Sequence, residues 1–180
     1  HKQTRDLVCR GAGAEGPKVV GGERGTLRTP LDFYGTKIYA WERFSGKANG
    51  GQAAERVPYP AGYPATALNW PVTPDALYWG ARFFHERYQK PIYITENGMA
   101  SPDKSENTKI VDQIRIDYLR SHLEAMALSI AQGVDVRGYF YLSRRDNFEW
   151  NSGYATRFGV PVFPSQTQKL TLKQTGFWYR

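Results

Sequence analysis

Residues 73–98 read TPDALYWGARFFHERYQKPIYITENG. Thr73 has the side chain of a helix N-cap, Pro74 suits a first helical position, and Asp75 places a negative charge in the first turn. Leu77, Ala81, Phe84 and Tyr88 recur at helical spacing, which predicts a helix over 73–89 with one buried stripe. Pro91 then opens a short β-type run, Ile92-Tyr93-Ile94-Thr95. It ends on a single carboxylate, Glu96, before the turn formers Asn97 and Gly98. A buried strand that delivers an acidic side chain at its carboxyl end needs a partner for the charge or a reaction that uses it.

The same alternation continues on both sides. Upstream, LDFYGTKIYA (31–40) reads as a strand, because Phe33, Ile38 and Tyr39 are β-formers, and 42–66 carries loop chemistry. Downstream, the polar loop SPDKSENTK leads into a helix over 112–132 of about five turns. Its stripe is Ile116, Leu119, Leu123, Met126 and Ile130, and Gly133 suits the C′ position. VRGYFYL (136–142) is the third strand. Strands alternating with helices predict right-handed βαβ units on an open parallel sheet, with chemistry at the carboxyl ends of the strands. Those ends are Tyr39, Glu96 and the stretch from Leu142 to Trp150. Residues 1–30, glycine-rich and without an apolar period, are expected as an irregular segment ahead of a folded portion at 31–180.

Composition excludes several functions. The formal charge is +7, yet Arg144-Arg145 is the only adjacent basic pair, so a solvated basic surface is expected and no nucleic-acid partner. Cys9 is the only cysteine and His1, His85 and His122 the only histidines, which leaves no metal-ligand spacing and no intrachain disulfide. No metal or organic cofactor is expected. No window has the apolar length of a membrane span, so no membrane partner is expected either. The lack of disulfides fits the cytoplasm, the favoured compartment, without requiring it.

Beyond the third strand, Asp146, Asn147, Glu149 and Trp150 crowd into five residues. Carboxylates and amides hydrogen-bond hydroxyls, and an indole offers a flat apolar face, which together suit a sugar ring. The same residues could equally make a capped turn around a core tryptophan.

Several motifs in order resemble the family 1 glycoside hydrolases, the β-glucosidase family. YITENG is similar to the family's nucleophile motif at the end of the seventh strand of a (β/α)₈ barrel, and DFYGTKIY to its sixth-strand segment. RIDYLRSHLEAMALSIAQGVDVRGYFYLS, the DNFEW that follows, and the terminal FWYR resemble its last helix, eighth strand, sugar-binding loop and ending. The resemblance covers 31–180 and implies the C-terminal part of such a barrel, strands six to eight with their helices, as an incomplete barrel. It implies Glu96 as the nucleophile of a retaining β-glycoside hydrolase and Tyr39 as the tyrosine that orients it. Glu149, Trp150 and Phe158 match positions that hold the nonreducing sugar. The implied partner is a β-D-glucoside, a related β-glycoside or an oligosaccharide.

Departures accompany the match. Lys37 stands where the family usually has asparagine, Leu142 where it has tryptophan, and Arg144 and Arg145 where it has apolar residues. Pro161 and Pro164 interrupt an expected extended segment. A complete barrel takes about 250 residues, and the chain contains no NEP motif, where the family keeps its general acid/base. The chain is therefore expected to carry the nucleophile without the acid/base half, with little turnover by itself. A noncatalytic carbohydrate-binding remnant is the alternative. An exposed sheet edge predicts self-association.

Overall fold

The computed structural model describes residues 21–26, 29–45, 55–106, 109–162 and 171–180. The expectations for His1, Cys9, the glycine-rich start to residue 20 and Pro164 lie outside these residues. In chain order the elements begin with α1 (Glu23–Thr26), β1 (Tyr34–Lys37), β2 (Arg43–Ser45), β3 (Glu55–Val57) and α2 (Asp75–Tyr88). They continue with β4 (Ile92–Asn97), β5 (Lys104–Glu106), β6 (Lys109–Val111), α3 (Gln113–Ala131) and β7 (Val136–Tyr141). A 3-10 turn at Trp150–Ser152, β8 (Pro161–Val162), β9 (Thr171–Leu172) and α4 (Gln174–Trp178) complete the chain. Among the described residues no helix is long and apolar enough to cross a membrane.

Two compact units are present. The smaller, within 1–31 and 42–58, contains α1 and an antiparallel β2–β3 pair, with Arg56 and Glu42 in an exposed ion pair at 2.8 Å. The larger, 32–41 and 59–180, is built on a three-stranded parallel sheet in the order β1-β4-β7. Each step along that sheet is a strand, a connection containing one helix, and the next parallel strand, as the alternating pattern predicts. Among the described residues the sheet does not close on itself, so the architecture is part of a barrel wall.

The helices cover the sheet with the predicted stripes, with one revision. Leu77 and Ala81 of α2 are fully buried and pack with Ile38, Ile92 and Ile94, while Tyr34 stacks on Phe84 and Tyr88 at 4.7 and 4.4 Å. On α3, Ile116 and Leu119 are buried, but Ile130 is 44% exposed. Arg115, His122 and Ser129, seven residues apart, take the inward face alongside them. Polar groups can do this because each finds partners inside: His122 Nδ1 donates to Tyr118 O at 2.7 Å and Ser129 Oγ to Met126 O at 2.7 Å. An apolar stripe count cannot see such partners.

Other local expectations also shift. The first strand is shorter than 31–40, because a register irregularity at Thr36/Lys37 ends regular pairing. Thr73 does not cap α2; its Oγ1 accepts from Trp41 N at 3.2 Å and Pro74 takes the cap position. The polar loop after residue 101 contains the β5–β6 hairpin. Gly133 ends α3 with φ +92° and donates to Ile130 O, as its C′ placement predicts.

A buried charge network ties the C-terminal segment to the start of α3 and to the loops after β4 and β7. Asp112, just ahead of α3, pairs with fully buried Arg115 and accepts from Thr175 N at 2.9 Å and Thr175 Oγ1 at 2.7 Å. Lys173 Nζ lies 3.0 Å from Asp103 and 3.7 Å from Asp146, and Asp146 Oδ1 accepts from Gly159 N at 2.7 Å. Burial, and then the Arg115 charge, push the Lys173 amine down, against the pull of the two carboxylates. This network anchors both ends of the loop that follows β7.

Candidate active site

The carboxyl ends of the three parallel strands converge on one cleft of about 610 Å³. Its walls include Lys37 and Tyr39 beyond β1, Glu96 of β4, and Glu149 and Trp150 from the loop after β7. In a parallel sheet all such ends face the same way, so residues remote in sequence meet there. Every site residue expected from the sequence lines this cleft: Tyr39, Glu96, Glu149, Trp150 and Phe158.

Glu96 is held at both oxygens. Tyr39 Oη donates to Oε2 at 2.8 Å, and Lys37 Nζ lies 2.8 Å from Oε1. Burial pushes the carboxyl up, but the hydrogen bonds from Lys37 and Tyr39 and the Lys37 charge outweigh it and hold the group below the usual carboxylate range. Burial raises Tyr39 in turn, as do the bond to Glu96 and the charges of Glu96 and Glu149, so the phenol remains a donor. Chemically, this is an ionised, oriented carboxylate facing open space.

The support beneath Glu96 is a buried amide. Asn97 is completely buried, donates to Ile38 O at 2.8 Å and to Tyr118 Oη at 3.1 Å, and accepts from Tyr139 Oη at 2.7 Å. Tyr118 Oη donates on to Tyr39 O at 3.2 Å. One side chain thus joins β1, β4, α3 and β7 directly behind the site. The sequence reading assigned Asn97 to a turn, since asparagine followed by glycine is turn chemistry; here it extends β4 by a residue. Gly98 is required for another reason: a Cβ there would sit 2.0 Å from Leu142 O. That carbonyl is so close because Leu142 N bonds Asn97 O at 2.8 Å.

An aromatic wall faces the carboxylate. Tyr39 meets Trp70 edge-on at 5.1 Å, and Trp70 lies 6.4 Å from buried Phe158. From the sequence, Trp70 belongs to the family-like stretch ahead of α2 and reads as structural; the fold places it on the cleft wall. Lys37 was legible only as a departure from the family pattern. A usable signal existed: Lys37 and Tyr39 are two apart at a strand end, and side chains two apart share a face.

The loop after β7 carries the remaining groups. Asn147 Nδ2 donates to Glu149 Oε1 at 2.6 Å. Trp150 is 85% exposed with φ +42°, so the core-tryptophan alternative for this motif fails. An indole held out at the cleft, on a backbone conformation that favours glycine, is not placed there by packing.

Comparison with known proteins gives a consistent result. Residues 3–180 match the profile of the family described as Glycosyl hydrolase family 1, which extends the resemblance read over 31–180 back through 3–30. The chain is 37% identical over 177 residues to a 1,4-beta-D-glucan glucohydrolase of Thermotoga neapolitana, covering 97% of this chain and 39% of that protein. It is 38% identical over 179 residues to a bifunctional beta-D-glucosidase/beta-D-fucosidase of Bifidobacterium breve, with 90% and 39% covered. A structure of the family 1 β-glucosidase from Thermotoga maritima in complex with isofagomine lactam superposes with a TM-score of 0.84 at 35% identity. That match covers 97% of this chain and 39% of that one. The chain spans 39% of the length of each of these relatives.

Proposed function

From the premise that this chain belongs to glycosyl hydrolase family 1, we propose that it carries the nucleophile half of a retaining β-glycoside hydrolase acting on β-D-glucosides or related β-glycosides. The observation that carries this reading is Glu96, an ionised carboxylate held by Tyr39 at 2.8 Å at the open end of a parallel sheet. In such a reaction the carboxylate attacks the anomeric carbon and the aglycone leaves as a general acid protonates it. Water, activated by the same group, then releases the sugar. Tyr39 aims the attacking group. Glu149 accepts hydroxyls of the nonreducing sugar, Trp150 covers its face, and Phe158 closes the apolar side of that subsite.

The reaction needs a second carboxyl group about 5–5.5 Å from the first. No residue of this chain matches the family's acid/base motif, and Glu149 is matched to sugar binding. The general acid therefore comes from outside these 180 residues. A mechanism-based 2-deoxy-2-fluoro-β-glucoside tests the assignment in a complete enzyme carrying this segment: peptide mass mapping should find the label on Glu96, and a label on another carboxylate would end the reading. The 180-residue chain itself should show no steady-state release of nitrophenol from an aryl β-glucoside, because losing catalytic groups costs several powers of ten. Sustained release abolished by Glu96→Gln would overturn the missing-acid part.

The exposure of Trp150 also favours a second reading, a noncatalytic carbohydrate-binding remnant. Saturable glucose binding lost in Trp150→Ala, with Glu96 never labelled, would select it. We also propose that the chain self-associates through the edge of β1, which pairs only with β4 among the described residues. Sedimentation giving a monomer at every concentration would count against that.

A further inference from the structure

Among the described residues Lys37 is the one cation lining the cleft, and it stands at a position where the family pattern has a neutral amide. Its ammonium lies 2.8 Å from Glu96 Oε1, while Tyr39 already occupies Oε2 at 2.8 Å. β1 and β4 fix the meeting, since Lys37 is registered directly against Glu96 in the sheet. We propose that Lys37 is a positioning residue that clamps the second oxygen of Glu96 and acts as an electrostatic brake on its attack. This rests on the reading of Glu96 as nucleophile.

The physical argument follows the charge. Attack joins a Glu96 oxygen to the anomeric carbon and breaks the glycosidic C–O bond, whose electron pair leaves on the aglycone oxygen. The carboxylate loses its charge in that step, and with it the attraction to Lys37, so the contact stabilises the reactant more than the transition state. The sugar meanwhile gains oxocarbenium character, and a positive charge developing beside an ammonium is disfavoured. Both effects slow attack. They are modest, because the Lys37 side chain is 65% exposed and that of Glu96 29% exposed, and exposed pairs are weak. The other titratable groups around Glu96 and its partner Tyr39 are Glu149, from the loop after β7, Tyr118 of α3 and Tyr139 of β7, with His122 of α3 against the Tyr39 backbone, where burial pushes its imidazole toward the neutral form. None of them supplies a cation that could replace Lys37 at neutral pH.

Two measurements test this on the 180-residue chain. The first is the ¹³C titration of the Glu96 carboxyl in wild type, Lys37→Met and Lys37→Arg, assigned with Glu96→Gln. Lys37→Met should raise the midpoint and Lys37→Arg should restore it, a pattern that a change in folding would not produce. An unchanged midpoint in Lys37→Met overturns the clamp, whatever chemistry Glu96 performs. The second is the rate of covalent labelling by 2,4-dinitrophenyl 2-deoxy-2-fluoro-β-glucoside, whose phenolate leaves without a proton. Lys37→Met should be labelled about two- to fivefold faster than wild type, the range an exposed ion pair allows. Equal or slower labelling overturns the brake. A raised midpoint with Glu96 unlabelled in every variant would sustain the clamp and defeat the brake, whereas the nucleophile reading fails only if a complete enzyme carrying this segment is labelled elsewhere, so the two failures are distinguishable.

Discussion

Glu96 shows how a single side chain is made useful by what stands behind it. Its carboxyl is held below the usual range because Lys37 and Tyr39 reach it, and Tyr39 is in place because Asn97 and Tyr118 hold the backbone of Ile38 and Tyr39. Replacing Tyr39 by Phe removes a donor to the charged form, so the Glu96 carboxyl should titrate at higher pH, measurable by ¹³C NMR. His122 offers a second test at this scale. Burial, against the pull of its bond to Tyr118 O, pushes the imidazole down to about 4, below its ordinary value of 6.5. The unfolded chain therefore binds a proton between those values that the folded chain refuses. Stability should be complete above pH 6.5, fall by about 3 kcal/mol as pH drops toward 4, and level off below. Denaturant unfolding across that window measures the slope, and His122→Gln should flatten it.

Among the elements, the junction of β4 with β7 is the most tightly specified. Leu142 N bonds Asn97 O at 2.8 Å, and the Leu142 carbonyl occupies the space a side chain at position 98 would need. Backbone cannot yield as a flexible side chain can. Gly98→Ala should cost about 1–3 kcal/mol by overpacking, a fall in Tm of roughly 2–12 °C for a chain of this size. It should also displace Glu96 and Leu142 together, visible as chemical-shift changes in both strands. An unaltered melting curve would show that the two strand ends separate easily. The inward face of α3 follows related logic: Arg115, His122 and Ser129 are buried because partners from other segments or from their own helix satisfy them.

At the scale of the molecule, a buried charge network holds the C-terminal segment. Asp112 accepts two bonds from Thr175 and neutralises Arg115, while Lys173 sits between Asp103 and Asp146. Removing one member strands the others without water. Asp112→Ala should therefore cost about 3–5 kcal/mol, lowering Tm by roughly 6–20 °C. It should also free the last residues, so that chymotrypsin cuts at Phe177, Trp178 or Tyr179 well before the core. Unchanged cleavage would mean that α4 docks without the network. Because Asp146 belongs to the same network and binds Gly159 N, the variant should also loosen the loop that carries Trp150 and Phe158.

Local patterns determined most of the larger unit. Helical spacing in 73–89 and 112–132, the short β-runs between them and the position of Gly133 depend on neighbours within a few residues, so they were legible in the sequence. So were Tyr39, Glu96, Glu149, Trp150 and Phe158, because they sit inside motifs that recur as units and the cleft gathers all five. The tertiary structure alone decided the rest. Asn97 reads as a turn former until Ile38, Tyr118 and Tyr139 are brought to its amide. Ile130 reads as core until Arg115 and His122 find buried partners and claim the face. Trp70 and Lys37 acquire meaning only when the loop before α2 and the end of β1 close on Glu96. The division is physical. Apolar burial depends on period, which a sequence displays, whereas a polar group's place depends on which partner reaches it, and only the folded chain brings those partners together.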